Sequence, residues 1–263
     1  MSVIITAVVS VTVIGVICAI LLNVASQLMY VKVDMRVTQL IDVMPGANCG
    51  ACGYPGCEGF AVALVAGEAK SNLCPPGGPE LIKKISEILG IEGETAELKT
   101  AVVRCVGSKD KQQNKMEYKG IKSCAGANQL YGGQTACAFG CLGFGDCQIV
   151  CPTNAICMED DVARVIKDLC TGCGLCVKAC PNKLITIENA NIPVFIACKN
   201  IEKGGVVRKK CSAGCIACTK CVKECPDGAI TMVDNLAVID YARCSGCGKC
   251  VDVCMTKCIL TVA

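Results

Sequence analysis

Between Cys215 and Cys254 the chain reads Cys215-x2-Cys218-x2-Cys221-x3-Cys225-Pro226 and then repeats as Cys244-x2-Cys247-x2-Cys250-x3-Cys254. Three thiolates at two-residue gaps can wrap three corners of a 4Fe-4S cubane in one tight loop, with backbone N–H groups aimed at its sulfurs. A fourth thiolate then arrives from the far side, and in paired runs of this form the fourth Cys of each run serves the other cluster. The spacing therefore predicts one cluster on Cys215, Cys218, Cys221 and Cys254 and a neighbour on Cys244, Cys247, Cys250 and Cys225. Structural zinc would favour two Cys-x2-Cys pairs, often with His, and this chain has no His.

The same run recurs upstream as Cys170-x2-Cys173-x2-Cys176-x3-Cys180-Pro181, followed by the strand-like Leu184-Ile-Thr-Ile187. A fourth, altered copy ends in Cys147-x3-Cys151-Pro152 and has Cys141 at its first position but Phe144 at its second. Cys137, four residues before Cys141, is the expected substitute. The predicted sets are thus Cys137, Cys141, Cys147 and Cys180, and Cys170, Cys173, Cys176 and Cys151. Four half-units imply two pseudo-symmetric double-cluster ferredoxin folds of short hairpins and helices.

Near the start of the chain, Cys49-x2-Cys52-x4-Cys57-x16-Cys74 supplies four more thiols in a Gly- and Pro-rich setting. Glu58 to Lys70 reads as a helix with Phe60, Ala63, Leu64 and Gly67 on one side, which puts a cluster at its positive N-terminal end. These five sets use 20 of the 27 Cys. Cys18, Cys157 and Cys258 read as inert thiols, Cys258 because it replaces the small apolar residues Ala229 and Leu184 of the other copies. Cys105, Cys124, Cys198 and Cys211 lie at strand ends or loops flanking the unit from Cys137 to Ile187 and predict a sixth cluster.

Residues 1–31 carry no charged side chain, and Val3 to Val24 is an almost unbroken apolar run. It is long enough to cross about 30 Å of hydrocarbon, and no basic stretch precedes it as in a cleaved signal. Lys32 and Arg36 follow it at once, so the positive-inside rule predicts a single-pass protein of the cell membrane with its N-terminus outside and its cysteine domains in the cytoplasm. A reducing compartment also keeps thiols free. The formal charge of +3 counts thiols as neutral; six clusters would add about −12 and leave the chain at about −9, which does not suggest a nucleic-acid partner.

The expected architecture is α+β: a transmembrane anchor over 1–31, a small helical 4Fe-4S domain over 32–78, a helix and linker region with extra ligands over 79–136, then two double-cluster ferredoxin modules over 137–214 and 215–263. Pro79 to Leu89 is predicted as an amphipathic helix, 92–97 as linker, and Leu98 to Val103 as a strand leading into Cys105. Lys199, Lys203, Arg208, Lys209 and Lys210 gather on a predicted hairpin inserted in the first module. No Ser-His-Asp constellation, Walker-type loop or post-strand G-x-G-x-x-G is present, so no nucleotide site or acid-base machinery is expected.

The anchor, Pro45-Gly-Ala-Asn-Cys-Gly-Ala-Cys-Gly-Tyr-Pro-Gly-Cys57, Cys74-Pro-Pro-Gly-Gly78 and the ferredoxin units together resemble the B-subunit of the Rnf complex over essentially the whole chain. The chain looks like the longer kind found in anaerobes, and departs from the usual pattern at Met255, where Pro is expected. The resemblance implies a membrane-anchored relay that takes electrons from soluble ferredoxin and passes them through 4Fe-4S clusters to membrane and flavin partners of an ion-translocating ferredoxin:NAD oxidoreductase. NAD reduction and Na+ or H+ transport would lie in other subunits. Read without the resemblance, the same residues would also suit the electron-input subunit of another membrane reductase or hydrogenase, or a metal-stabilised scaffold.

Overall fold

The computed structural model describes residues 2–28, 34–91 and 98–262; Lys32 of the predicted basic flank and the predicted linker 92–97 lie outside the described residues. Helix α1 spans Ser2–Leu28. Its segment Ile5–Gln27 is long and apolar enough to cross a bilayer, with exposed side chains throughout. Ser10 Oγ and Thr12 Oγ1 donate to the carbonyls of Thr6 at 2.6 Å and Val8 at 3.0 Å, so both hydroxyls are satisfied within the helix, as hydrocarbon demands.

Three helices build the first cysteine domain. Asp34 caps α2 (Met35–Val43) by accepting from the Arg36 N–H at 2.9 Å. Helix α3 covers Gly56–Val65, shorter than the predicted Glu58–Lys70, and Gly67 turns away from it at φ +74°. Helix α4 (Gly78–Leu89) ends at Gly90, which takes the left-handed conformation at φ +66° and donates to the Ser86 carbonyl at 2.8 Å. Leu40, Phe60, Leu64, Leu81 and Ile85 bury together. The expected boundary at residue 78 is thereby corrected: the apolar stripe of α4 must be covered, and α2 and α3 cover it.

The remaining elements are β1 (Lys99–Val103), α5 (Cys124–Gln129), α6 (Asp146–Ile149), β2 (Ile156–Glu159), β3 (Val162–Val165), α7 (Leu175–Ala179), β4 (Ile185–Asn189), β5 (Val194–Ile196), α8 (Gly204–Lys210), α9 (Lys220–Lys223), β6 (Ile230–Val233), β7 (Leu236–Ile239), α10 (Lys249–Asp252) and β8 (Ile259–Thr261). The β2–β3 and β6–β7 hairpins close on Asp160-Asp161 and Asp234-Asn235, all at positive φ, as tight two-residue turns require. Strand β1 pairs antiparallel with β4, Lys99 facing Asn189, and β5 pairs antiparallel with β8, Val194 facing Thr261.

These outer pairings redraw the expected domains. Strand β1 belongs to the first ferredoxin module rather than to a linker, and β5, expected in the insertion of the first module, completes the second. A lone strand has no ladder, and within 215–263 β8 has no other partner among the described residues. The predicted hairpin at 199–210 is a loop followed by α8, whose last turn carries Arg208, Lys209 and Lys210 at the negative end of the helix. One core, with Ile196, Ile230, Ile239 and Ile259, fills the second module; another, with Val103, Ile156, Leu184 and Ile185, fills the first.

Candidate iron-sulfur centres

The loops between runs of thiols turn so tightly that alternate residues sit in the left-handed region: Gly172 and Gly174, Ala217 and Thr219, Gly246 and Gly248. At Gly172 a Cβ would meet the Lys99 carbonyl oxygen at 2.7 Å, so both φ and space require glycine there. Main-chain N–H groups from outside the three-cysteine loops point at sulfur: Ala101 donates to Cys170 Sγ at 3.3 Å, Ala155 to Cys151 at 3.2 Å and Leu184 to Cys180 at 3.4 Å.

Four of the predicted sets of thiols come together. Burial pushes the Cys74 thiol up to about 11, and Cys52, Cys49 and Cys57 add to the shift from around it. In this domain Asn48 Oδ1 accepts the Cys57 N–H at 2.8 Å, and a Cβ on Gly56 would meet that oxygen at 2.9 Å. Cys176 is raised to about 11 by burial and then by Cys170, Cys173 and Cys151, with which it lines one pocket. Cys221 is raised to about 11 by burial and then by Cys215, Cys218 and Cys254. Burial likewise raises Cys250, and Cys244, Cys247 and Cys225 surround it.

The other two sets are regrouped. Cys141, Cys147 and Cys180 line a pocket with Cys124, not with Cys137. Burial raises Cys147 to about 12, followed by the effects of Cys141, Cys124 and Cys180. The Asp146 carboxylate explains the placement: it accepts from the N–H groups of Cys124 at 2.8 Å and Ala125 at 2.9 Å, tying the start of α5 to the residue beside Cys147. Ser123 caps α5 by accepting the Gly126 N–H at 3.1 Å. Phe144, at the vacated second position, instead packs edge-on against Tyr118 at 5.5 Å.

Cys137 turns the other way and lines a pocket with Cys105, Cys198 and Cys211. Asn200, 1% exposed, donates from Nδ2 to Cys137 Sγ at 3.4 Å and accepts the Glu202 N–H at 2.7 Å on Oδ1. Spacing gives no sign of Asp146 or Asn200, because each acts on a cysteine more than twenty residues away. The Cys105 set also touches both modules through hydrogen bonds: the Cys141 N–H donates to Cys105 Sγ at 3.4 Å, and the Cys215 N–H to Cys198 Sγ at 3.3 Å. Burial pushes Cys105 to about 12.

Cys18 lies on α1, and Cys157 Sγ faces Glu159 and the Arg164 carbonyl. Cys258 is different: it is buried with its Sγ 3.7 Å from Cys254 Sγ and lines the pocket of that set. Its thiol beside Cys215 and Cys254 holds them below the usual thiol range, at about 6 and about 5.

The residues present fit 4Fe-4S clusters. Among the described residues no three Cys, Asp, Glu or His side chains converge as the ligands of one ion would; the thiols stand instead around shared apolar pockets. Burial makes Cys74, Cys105, Cys147, Cys176 and Cys221 resist ionising until a cationic core joins them, which couples their deprotonation to metal binding.

Family comparisons agree with this chemistry. The FeS family model, described as a putative Fe-S cluster, matches residues 44–76, the 4Fe-4S binding domain 163–186 and the 4Fe-4S dicluster domain 214–259. The B-subunit of the Na(+)-translocating ferredoxin:NAD(+) oxidoreductase complex of Acetobacterium woodii is 42% identical over 246 residues, 93% of this chain and 74% of that protein. The corresponding subunit of the proton-translocating ferredoxin:NAD(+) oxidoreductase complex of Clostridium ljungdahlii is 38% identical over 260 residues, 98% of this chain and 91% of that protein. Its counterpart in the ion-translocating oxidoreductase complex of Methanosarcina acetivorans is 38% identical over 241 residues, 91% of each. With this similarity running through the anchor helix, the helical cysteine domain and both modules, the chain belongs to the B-subunit family of the ion-translocating ferredoxin:NAD(+) oxidoreductase, or Rnf, complexes.

Proposed function

We propose that this subunit is a membrane-anchored electron relay with six 4Fe-4S sites: Cys49, Cys52, Cys57 and Cys74; Cys151, Cys170, Cys173 and Cys176; Cys124, Cys141, Cys147 and Cys180; Cys105, Cys137, Cys198 and Cys211; Cys215, Cys218, Cys221 and Cys254; and Cys225, Cys244, Cys247 and Cys250. A cluster so held supplies one-electron storage at a potential set by its hydrogen bonds and burial. The observation that carries the reading is the pair of N–H···S bonds joining the Cys105 set to one module through Cys141 and to the other through Cys215. They link the five sets of the two modules in one series rather than leaving two separate pairs.

The series has two unlike ends. In the second module Cys218 and Cys247 are exposed, whereas every other proposed ligand is at least partly buried. A soluble donor can approach those two corners. At the other end the Cys170 loop lies against Lys99, where the chain arrives from the helical domain. Electrons accordingly enter from ferredoxin at the second module and leave through the Cys49 set towards membrane and flavin partners, with Arg36 just past the anchor favouring the cytoplasmic side.

Lys203, Arg208 and Lys209 are exposed near the Cys215–Cys218 loop, whose Ile216 backbone lies against Gly204 at the start of α8. Lys199 and Lys210 are engaged, with the Lys183 carbonyl at 2.8 Å and Glu202 at 2.5 Å, so they contribute less to docking than the sequence alone suggests. Arg208→Glu with Lys209→Glu is expected to slow reduction of the full chain by reduced ferredoxin at low salt, and to flatten its salt dependence. Stopped-flow rates that match the wild type at every ionic strength would remove this docking surface. Failure of ferredoxin to reduce even the wild-type chain would remove the relay reading.

A further inference from the structure

The fourth cysteine of each ferredoxin run is followed, four residues on, by a buried residue: Ala155 after Cys151, Leu184 after Cys180, Ala229 after Cys225 and Cys258 after Cys254. Three of the four are hydrocarbon. Only the last carries a hydrogen-bond donor on its side chain, and its Sγ stands 3.7 Å from Cys254 Sγ. Its main chain is fixed, since its carbonyl accepts the Ala197 N–H at 2.7 Å and Ile259 beside it pairs with Ile196 across β5–β8.

A cluster on Cys215, Cys218, Cys221 and Cys254 turns Cys254 into a thiolate, which can only accept. The proton of the contact then belongs to Cys258, which is 2% exposed and faces the Cys254 sulfur, where a further charge is discouraged. A bond donated to a ligand sulfur stabilises the more negative, reduced form of the site and raises its potential.

Resting on the relay reading above, we infer that Cys258 is a non-ligating positioning residue whose S–H, donated to Cys254, makes the Cys254 set easier to reduce than its neighbour on Cys225. The set next to the bridging Cys105 site thereby holds an electron that has entered the second module and presents it to Cys198. The Cys225 set, with Ala229 in the same place, lacks this donor.

The test is an anoxic redox titration of the detergent-solubilised full chain followed by electron paramagnetic resonance, with iron determined on every sample. Cys218→Ala identifies the component that belongs to the Cys254 set by removing it. In Cys258→Ala the iron content stays at the wild-type value, and at a fixed potential the reduced-to-oxidised ratio of that component falls about fivefold, the worth of one modest hydrogen bond and equal to about 40 mV for one electron. Cys258→Ser, which keeps a donor, returns the ratio to the wild-type value or above it. Ala229→Cys raises the component that Cys247→Ala removes.

Loss of about four irons in Cys258→Ala would make Cys258 a ligand and overturn the inference. An unchanged titration in that variant, or equal shifts in the Ala and Ser variants, would overturn it by removing the donor's effect. If Cys218→Ala removed no component, the ligand set itself would be wrong and the inference would fall with it.

Discussion

Cys211→Ala is expected to cost about four irons per chain and to divide the subunit into two electrically separate halves. Cys211 belongs to the set that touches Cys141 on one side and Cys215 on the other, and its replacement trims one sulfur from the edge of the second module's core, so the variant is expected to keep both modules folded but without a site between them. Ferredoxin should still reduce the components of the second module in a single-turnover experiment. The components assigned to Cys147 and Cys176 should then remain oxidised on the timescale over which they fill in the wild type. Dithionite, which needs no route through the protein, should reduce both halves. If ferredoxin filled the first module at the wild-type rate in this variant, the bridging role would be wrong.

Cys57→Ala should act at the other end. Cys57 lies in the first turn of α3, held by Asn48, in the domain that follows the anchor most closely along the chain. Cys49 is 18 residues beyond Val31, so even a fully extended segment reaches at most about 65 Å from the anchor. Ferredoxin should reduce every remaining site in this variant, while ferredoxin:NAD activity of the assembled complex falls to background. Should the variant refuse electrons from ferredoxin while variants of the second module accept them normally, the polarity would have to be reversed.

Much of this arrangement is legible in the sequence wherever one short loop supplies most of a site. The runs at Cys170, Cys215 and Cys244 carry three thiols of a set in one loop, and the residues in their gaps turn through positive φ. The amphipathic α4 and the long apolar α1 are equally plain from periodicity and length. What spacing does not resolve is a ligand brought in from a separate segment. Cys137 lies four residues from Cys141 and is the natural substitute for the missing second thiol, yet the turn between them, with the Gly140 N–H on the Cys137 carbonyl at 3.1 Å, sends it to Asn200. Cys124 reaches Cys147 only because Asp146 holds the start of α5. The outer strands β1 and β5 are hidden for the same reason, since their partners lie some sixty or more residues away. The α8 helix, which the sequence presents as part of a hairpin, has only seven residues, too few for its periodicity to stand out.

The most direct test of the account is the iron content of two double variants of the full chain, reconstituted without oxygen beside the wild type. Six sites predict about 24 irons in the wild type. Cys124 and Cys141 face one pocket, so replacing both with Ala removes a single site and should leave about 20 irons. Cys137 and Cys141 face different pockets, so replacing both should remove two sites and leave about 16 irons. The opposite result, about 16 irons for the first pair and about 20 for the second, would contradict the regrouping, and a wild-type value near about 20 would remove the sixth site on which the continuous relay depends.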